Sequence, residues 1–158
     1  MNVGGTLYDV TFVDGTCTAL FDGCDEASDF TFTTQTDADA ASQALLDFVF
    51  VDVPGLGSFD SAPEFTFGIT SNTAGFVFTP YNHEPGLPFL STFAAVNKVS
   101  GDFTAPVALG KLDDTFANPS TVFADWTVAT VPIPAGGMLL LSALGGIAAL
   151  RRRVKSTV

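Results

Sequence analysis

The chain has 158 residues, 47% of them hydrophobic, with 16 phenylalanines and a formal net charge of −11; this composition excludes a disordered or low-complexity chain. All 17 acidic residues precede residue 131, where Lys98 and Lys111 are the only bases, so that part carries about −15. It would repel a nucleic-acid backbone and has no basic stripe to bind one, which argues against DNA or RNA as a partner.

The first element is "GTLYDVTFVDGT", where Leu7, Asp9, Thr11 and Val13 alternate with Tyr8, Val10 and Phe12 before an Asp14-Gly15 turn. That period of two predicts a half-buried strand. Next, "DGTCTALFDGCDEASD" brings Cys17 and Cys24 close together. In an exported protein the pair is most simply one local disulfide, contributing about 2 to 2.5 kcal/mol. Free thiols are the alternative, and a zinc site would need carboxylates to complete its shell. Asp22, Asp25, Glu26 and Asp29 crowd the same loop. They form a weak Ca²⁺ candidate, since oxygen ligands suit calcium, but their spacing does not fit an EF-hand. A solvated acidic loop is the simpler reading, and no other metal site and no cofactor is assigned.

"TDADAASQALLDFVFVD" predicts the main helix. Thr36 or Asp37 caps it, Asp37 and Asp39 complement its dipole, and Ala41, Ala44, Leu45, Phe48 and Val49 recur at helical spacing. Pro54-Gly55 ends the element, with "FVFVD" leaving the helical state earlier. "GFVFTPY" and "ADWTV" read as strands, and "TPYNHEPGLPFLS", with its three prolines, reads as irregular. With one helix available for a crossover, the sheet is expected to be antiparallel. Residues 1–130 are thus expected to form a small α+β domain, an antiparallel sheet packed by one main helix.

Catalytic chemistry has little to stand on. His83 is the only histidine, and no G-x-S-x-G elbow is present. Glu84 adjoins His83, but side chains adjacent in sequence rarely face each other, so His83 reads as a loop residue and no catalytic residue is assigned. Trp126, Tyr81 and Tyr8 could stack on sugars, with core packing as the competing role.

The end of the chain, "VPIPAGGMLLLSALGGIAALRRRVKSTV", differs sharply from the rest. Ala135 to Leu150 is apolar except for Ser142, and residues 133–150 would span about 27 Å as a helix, enough for a thin bilayer. A single transmembrane helix is expected at 135–150. Arg151, Arg152, Arg153 and Lys155 form a stop-transfer flank, which the charge rule places in the cytoplasm, with the acidic body outside. Pro132 and Pro134 hold Ile133 extended, the form that a protease or transpeptidase cleft accepts.

The order Val131, Pro132, Ile133, Pro134, Ala135, then an apolar helix, then arginines, resembles the PEP-CTERM class of bacterial sorting signals. It is similar to the VPLPA-type variant, with Ile133 where that variant commonly has Leu. The resemblance implies an exported protein, held transiently in the bacterial inner membrane and processed by an exosortase, a membrane-embedded cysteine transpeptidase-like enzyme. It further implies display at the cell surface or secretion, in association with exopolysaccharide or biofilm. "LYDVTFVDGTCTALFDGC" followed by "DADAASQALLDFVFVD" also resembles an uncharacterised body found ahead of such tails, which implies no activity. Such proteins begin with a signal peptide, whereas "MNVGGTLYDVTFVDG" has neither a basic nor an apolar leader region, so the expected true start lies upstream of Met1. The leading expectation is therefore a non-enzymatic exported protein. An extracellular polysaccharide- or calcium-binding module comes second and a secreted hydrolase third.

Overall fold

In a computed structural model, residues 1–83 and 86–130 are described. The sorting motif, the membrane helix and the basic end expected within 131–158 lie outside the described residues, as do Glu84 and Pro85. Among the described residues, no helix is long and apolar enough to cross a membrane.

The alternating stretch near the start forms β2 (Thr6–Val13), which pairs antiparallel with the short β1 (Asn2–Val3). Helix α1 (Cys17–Leu20) is a single turn within the cysteine loop. The main helix, α2, runs Gln35–Phe48. Its cap is Thr34 rather than Thr36 or Asp37, because the Thr34 hydroxyl accepts the Asp37 N–H at 3.2 Å. Asp37 instead occupies the first turn, where its charge suits the helix dipole. Ala38, Ala41, Ala44, Leu45 and Leu46 are buried, whereas Phe48 is 65% exposed. Ala41, Ala44 and Leu45 thus lie on the expected apolar face, with Val49 partly buried against the same cluster, and Phe48 departs from it; small alanines let the helix lie close to the sheet.

After α2 come a two-residue hairpin pair, β3 (Asp52–Val53) and β4 (Gly57–Ser58), and then the long strands β5 (Ala74–His83), β6 (Phe89–Lys98), β7 (Phe103–Gly110) and β8 (Thr121–Val128). The stretch expected to be irregular around Pro80 and His83 is therefore mostly strand. Pro80 is accommodated where the β5–β6 register shifts, which is where a residue without an N–H is tolerated.

The six-stranded sheet has the order β1-β2-β8-β5-β6-β7. It is mixed, not wholly antiparallel, because β5 and β8 run parallel, with Val77 opposite Val122. A parallel neighbour needs a crossover. Here segment 111–120 supplies it without an α-helix, using one 3₁₀ turn at Thr115–Ala117. Thr115 anchors that path at both ends of its residue, its N–H donating to Gly15 O at 3.1 Å and its hydroxyl to Asp14 at 2.9 Å. The expectation failed because it allowed only helices as crossovers.

Both faces of the sheet are covered. On one, α2 packs against Val77, Phe93, Ala95, Val122, Ala124 and Trp126. On the other, the cysteine loop brings Cys17, Phe21, Cys24 and Phe30 against Phe78, Leu90, Ala94, Val96 and Phe123. Burial of each large side chain contributes about 1.5 to 3 kcal/mol, so the loop acts as a second packing layer.

Candidate functional site

The chemistry-bearing residues of the described chain gather where the cysteine loop meets the end of β5. Cys17 and Cys24 are bonded, with S–S 1.98 Å and Cα–Cα 5.7 Å, and both are fully buried. Gly23 at φ +90° and Cys24 at φ +54° turn the chain sharply through the left-handed region. Phe21 then meets Phe30 and Phe123 edge-on, at 5.7 and 5.6 Å between ring centroids.

Two of the acidic residues of this loop, Glu26 and Asp29, bond within it. Asp29 accepts the N–H groups of Asp25 at 2.9 Å and Glu26 at 3.0 Å. The Glu26 N–H, then that of Asp25, hold the Asp29 carboxyl below its usual range, and the nearby His83 adds a smaller effect in the same direction. Ser28 donates its hydroxyl to Glu26 at 3.2 Å. Asp22, Asp25, Glu26 and Asp29 are not drawn together as ligands: among the described residues no group of three or more His, Cys, Asp or Glu is placed to hold a metal ion.

His83 occupies a different position from the loop assigned to it by sequence. It is the last residue of β5 and only 5% exposed. Its Nδ1 lies 3.1 Å from the carbonyl oxygen of Asp25 and its Nε2 2.9 Å from that of Leu87. The ring therefore joins the acidic loop to the segment leading into β6. No local sequence pattern marks this role, since Asp25 is distant in the chain.

The aromatic candidates separate. Trp126 is 3% exposed, donates its indole N–H to Thr79, and packs edge-on against Phe32 and Tyr8 at 5.4 and 6.3 Å. It belongs to the core and presents no face to a sugar. Tyr81 is partly buried against the same cluster. Tyr8, also partly buried, lines a cleft of about 230 Å³ between the β1–β2 hairpin and the start of α2, together with Thr6, Thr33 and Asp37. The Asp37 carboxylate there accepts the Thr34 hydroxyl at 2.7 Å.

No protein-family model, no curated protein and no solved structure matches this chain. The functional reading therefore rests on its own residues.

Proposed function

We propose that this chain is an exported bacterial protein without enzymatic activity, sorted through its C-terminal segment and then displayed at the cell surface or released into the matrix. The observation that carries the reading is the order of "VPIPA", a stretch that is apolar except for Ser142, and "RRRVK" at 131–155. In this reading Val131 to Ala135 is recognised by an exosortase-like enzyme, residues 135–150 hold the chain transiently in the inner membrane, and Arg151, Arg152, Arg153 and Lys155 stay in the cytoplasm. Exopolysaccharide is the proposed companion of the released body.

Two features of the body support this. The strand β8 closes the sheet at Val128, and the Ala129 N–H bonds Leu7 O at 2.9 Å. Among the described residues, the sheet and its two packing layers are thus closed before residue 131. A buried disulfide also suits an oxidising compartment. Against a hydrolase, both ring nitrogens of His83 are already engaged with backbone carbonyls.

The test is mass spectrometry of both termini of the protein recovered from membrane and extracellular fractions of its host. Extracellular material ending within residues 131–137 is the expected result. Protein found only in membranes with "RRRVKSTV" intact would end the sorting reading.

A polysaccharide-binding role is the second reading, favoured by the cleft at Tyr8 with its hydroxyls and the Asp37 carboxylate. Retention on the host's purified polysaccharide that is lost in Tyr8→Ala would support it, and retention unchanged by that substitution would count against the cleft.

A further inference from the structure

His83 is the only histidine in the chain, and its ring lies between two carbonyl oxygens, those of Asp25 at 3.1 Å and Leu87 at 2.9 Å. A carbonyl oxygen only accepts, so each ring nitrogen must carry a hydrogen to bond there. Neutral imidazole carries one, and would aim the lone pair of its other nitrogen at the second carbonyl. Imidazolium carries two. Because the residue is 5% exposed, water does not freely replace a partner lost in the neutral state. We propose that His83 is a proton-operated clasp: doubly protonated it fastens the acidic disulfide loop at Asp25 and the segment before β6 at Leu87, and on losing a proton it releases the loop.

The titratable groups on the elements packed against the ring are mainly acidic. Asp22, Asp25, Glu26 and Asp29 come from the loop. β6, paired to His83 through Leu90, carries no titratable residue until Lys98 at its far end. Lys111 is the basic residue whose backbone comes nearest in this region, its main-chain N–H bonding Pro88 O at 3.0 Å, next to Leu87. Glu84, next in sequence, lies outside the described residues. Of the acidic groups, Asp29 acts on the ring electrostatically, and an imidazolium here would have both of its N–H groups hydrogen-bonded.

The two bonds are unequal. Nε2 makes the shorter contact, to Leu87, so the neutral ring keeps that bond and gives up Asp25. Opening is then confined to the part of the loop around Asp25, because the disulfide and the Phe21–Phe123 contact hold the rest. Since the closed clasp needs a hydrogen on each ring nitrogen, acid favours closure and alkali favours release. This inference stands apart from the proposed sorting.

The test uses the full-length chain in detergent, labelled with ¹⁵N-histidine so that a single ring reports. At about pH 5.5 both nitrogens should resonate as protonated, and at about pH 8 Nδ1 should lose its proton. The amides of Asp25 and Glu26 should then exchange roughly tenfold faster beyond the intrinsic pH effect, as expected for one lost hydrogen bond. With His83→Gln, the melting-temperature gap to wild type should widen as pH falls over that range. A gap equal at both ends, or a ring whose protonation does not change between them, overturns the proposal. The labelled wild-type chain decides the matter even if the variant does not fold.

Discussion

The indole N–H of Trp126 in β8 donates to the hydroxyl of Thr79 in β5, 3.2 Å away and out of contact with solvent. The same hydroxyl lies 3.4 Å from Ser42 Oγ on α2, and Ser42 also donates to Phe93 O in β6 at 3.2 Å. One small polar chain thus ties the helix to three strands at the point where the parallel pair forms. Apolar packing alone would let α2 slide over the sheet; these bonds give it a single register.

Thr79→Val keeps the side-chain shape but removes the acceptor, leaving a buried indole N–H without a partner. A loss of about 1 to 3 kcal/mol is expected in urea unfolding. Combining it with Trp126→Phe should show a coupling of roughly 1 kcal/mol, since the second change removes the orphaned donor. Strict additivity of the two substitutions would mean that the N–H finds another acceptor.

A second prediction concerns the crossover. Gly68 has φ +80°, and a Cβ there would lie 2.5 Å from Asp14 Oδ2 and 2.9 Å from Val122 Cγ2. Asp14 is the residue that accepts the Thr115 hydroxyl, so displacing it loosens segment 111–120. Gly68→Ala should therefore cost more than about 2 kcal/mol. Gly55, with φ +83° but open space around it, is the control, and Gly55→Ala should cost only about 1 kcal/mol for the backbone conformation. Equal losses at the two sites would show that sterics at Gly68 do not matter.

The disulfide loop offers a paired comparison. Replacing Cys17 and Cys24 by alanine should cost about 2 kcal/mol through the freed unfolded chain. Cys24 sits at φ +54°, so Cys17→Ala with Cys24→Gly should be more stable than the double alanine by up to about 1 kcal/mol. Urea midpoints under non-reducing conditions distinguish them. A glycine variant weaker than the double alanine would indicate that the turn relaxes once the bond is gone.

How much of this was legible in the sequence depends on how local each signal is. β2 was readable because Leu7 to Val13 alternate without interruption, and α2 because Ala41, Ala44 and Leu45 repeat at helical spacing. β6 was not, since Thr92 to Asn97 are buried on both faces and show no alternation. The parallel pairing of β5 with β8 depends on an irregular crossover held by Asp14 and Thr115, residues far apart in the chain. The position of His83 was hidden for the same reason, because its partner Asp25 lies in another element. Sequence periodicity reports which face an element buries, and it carries no record of which distant backbone carbonyl a side chain will meet.

Acid titration should separate two kinds of aspartate. The Asp52 carboxyl is held below its usual range first by the Ser61 hydroxyl, then by the Ser61 and Asp60 N–H groups. Its folded value lies below the unfolded one, so its stabilising contribution is present at neutral pH and is lost as pH falls through the folded value. The Asp102 carboxyl is pushed up, chiefly by burial, with Asp60 adding repulsion and the Lys98 N–H opposing. There the native state holds the extra proton, so the favourable contribution exists in acid and disappears as pH rises. Asp102→Asn keeps an acceptor for the Lys98 N–H, 2.8 Å away in the wild type, and removes the partly desolvated charge. Its melting temperature should exceed wild type at about pH 7 and converge with it near pH 3, where the carboxyls are protonated. Asp52→Asn should do the reverse, falling below wild type at neutral pH and converging in acid. If both variants shifted the same way at neutral pH, burial would not be the dominant force on Asp102, and the backbone bond from Lys98 would have to outweigh it.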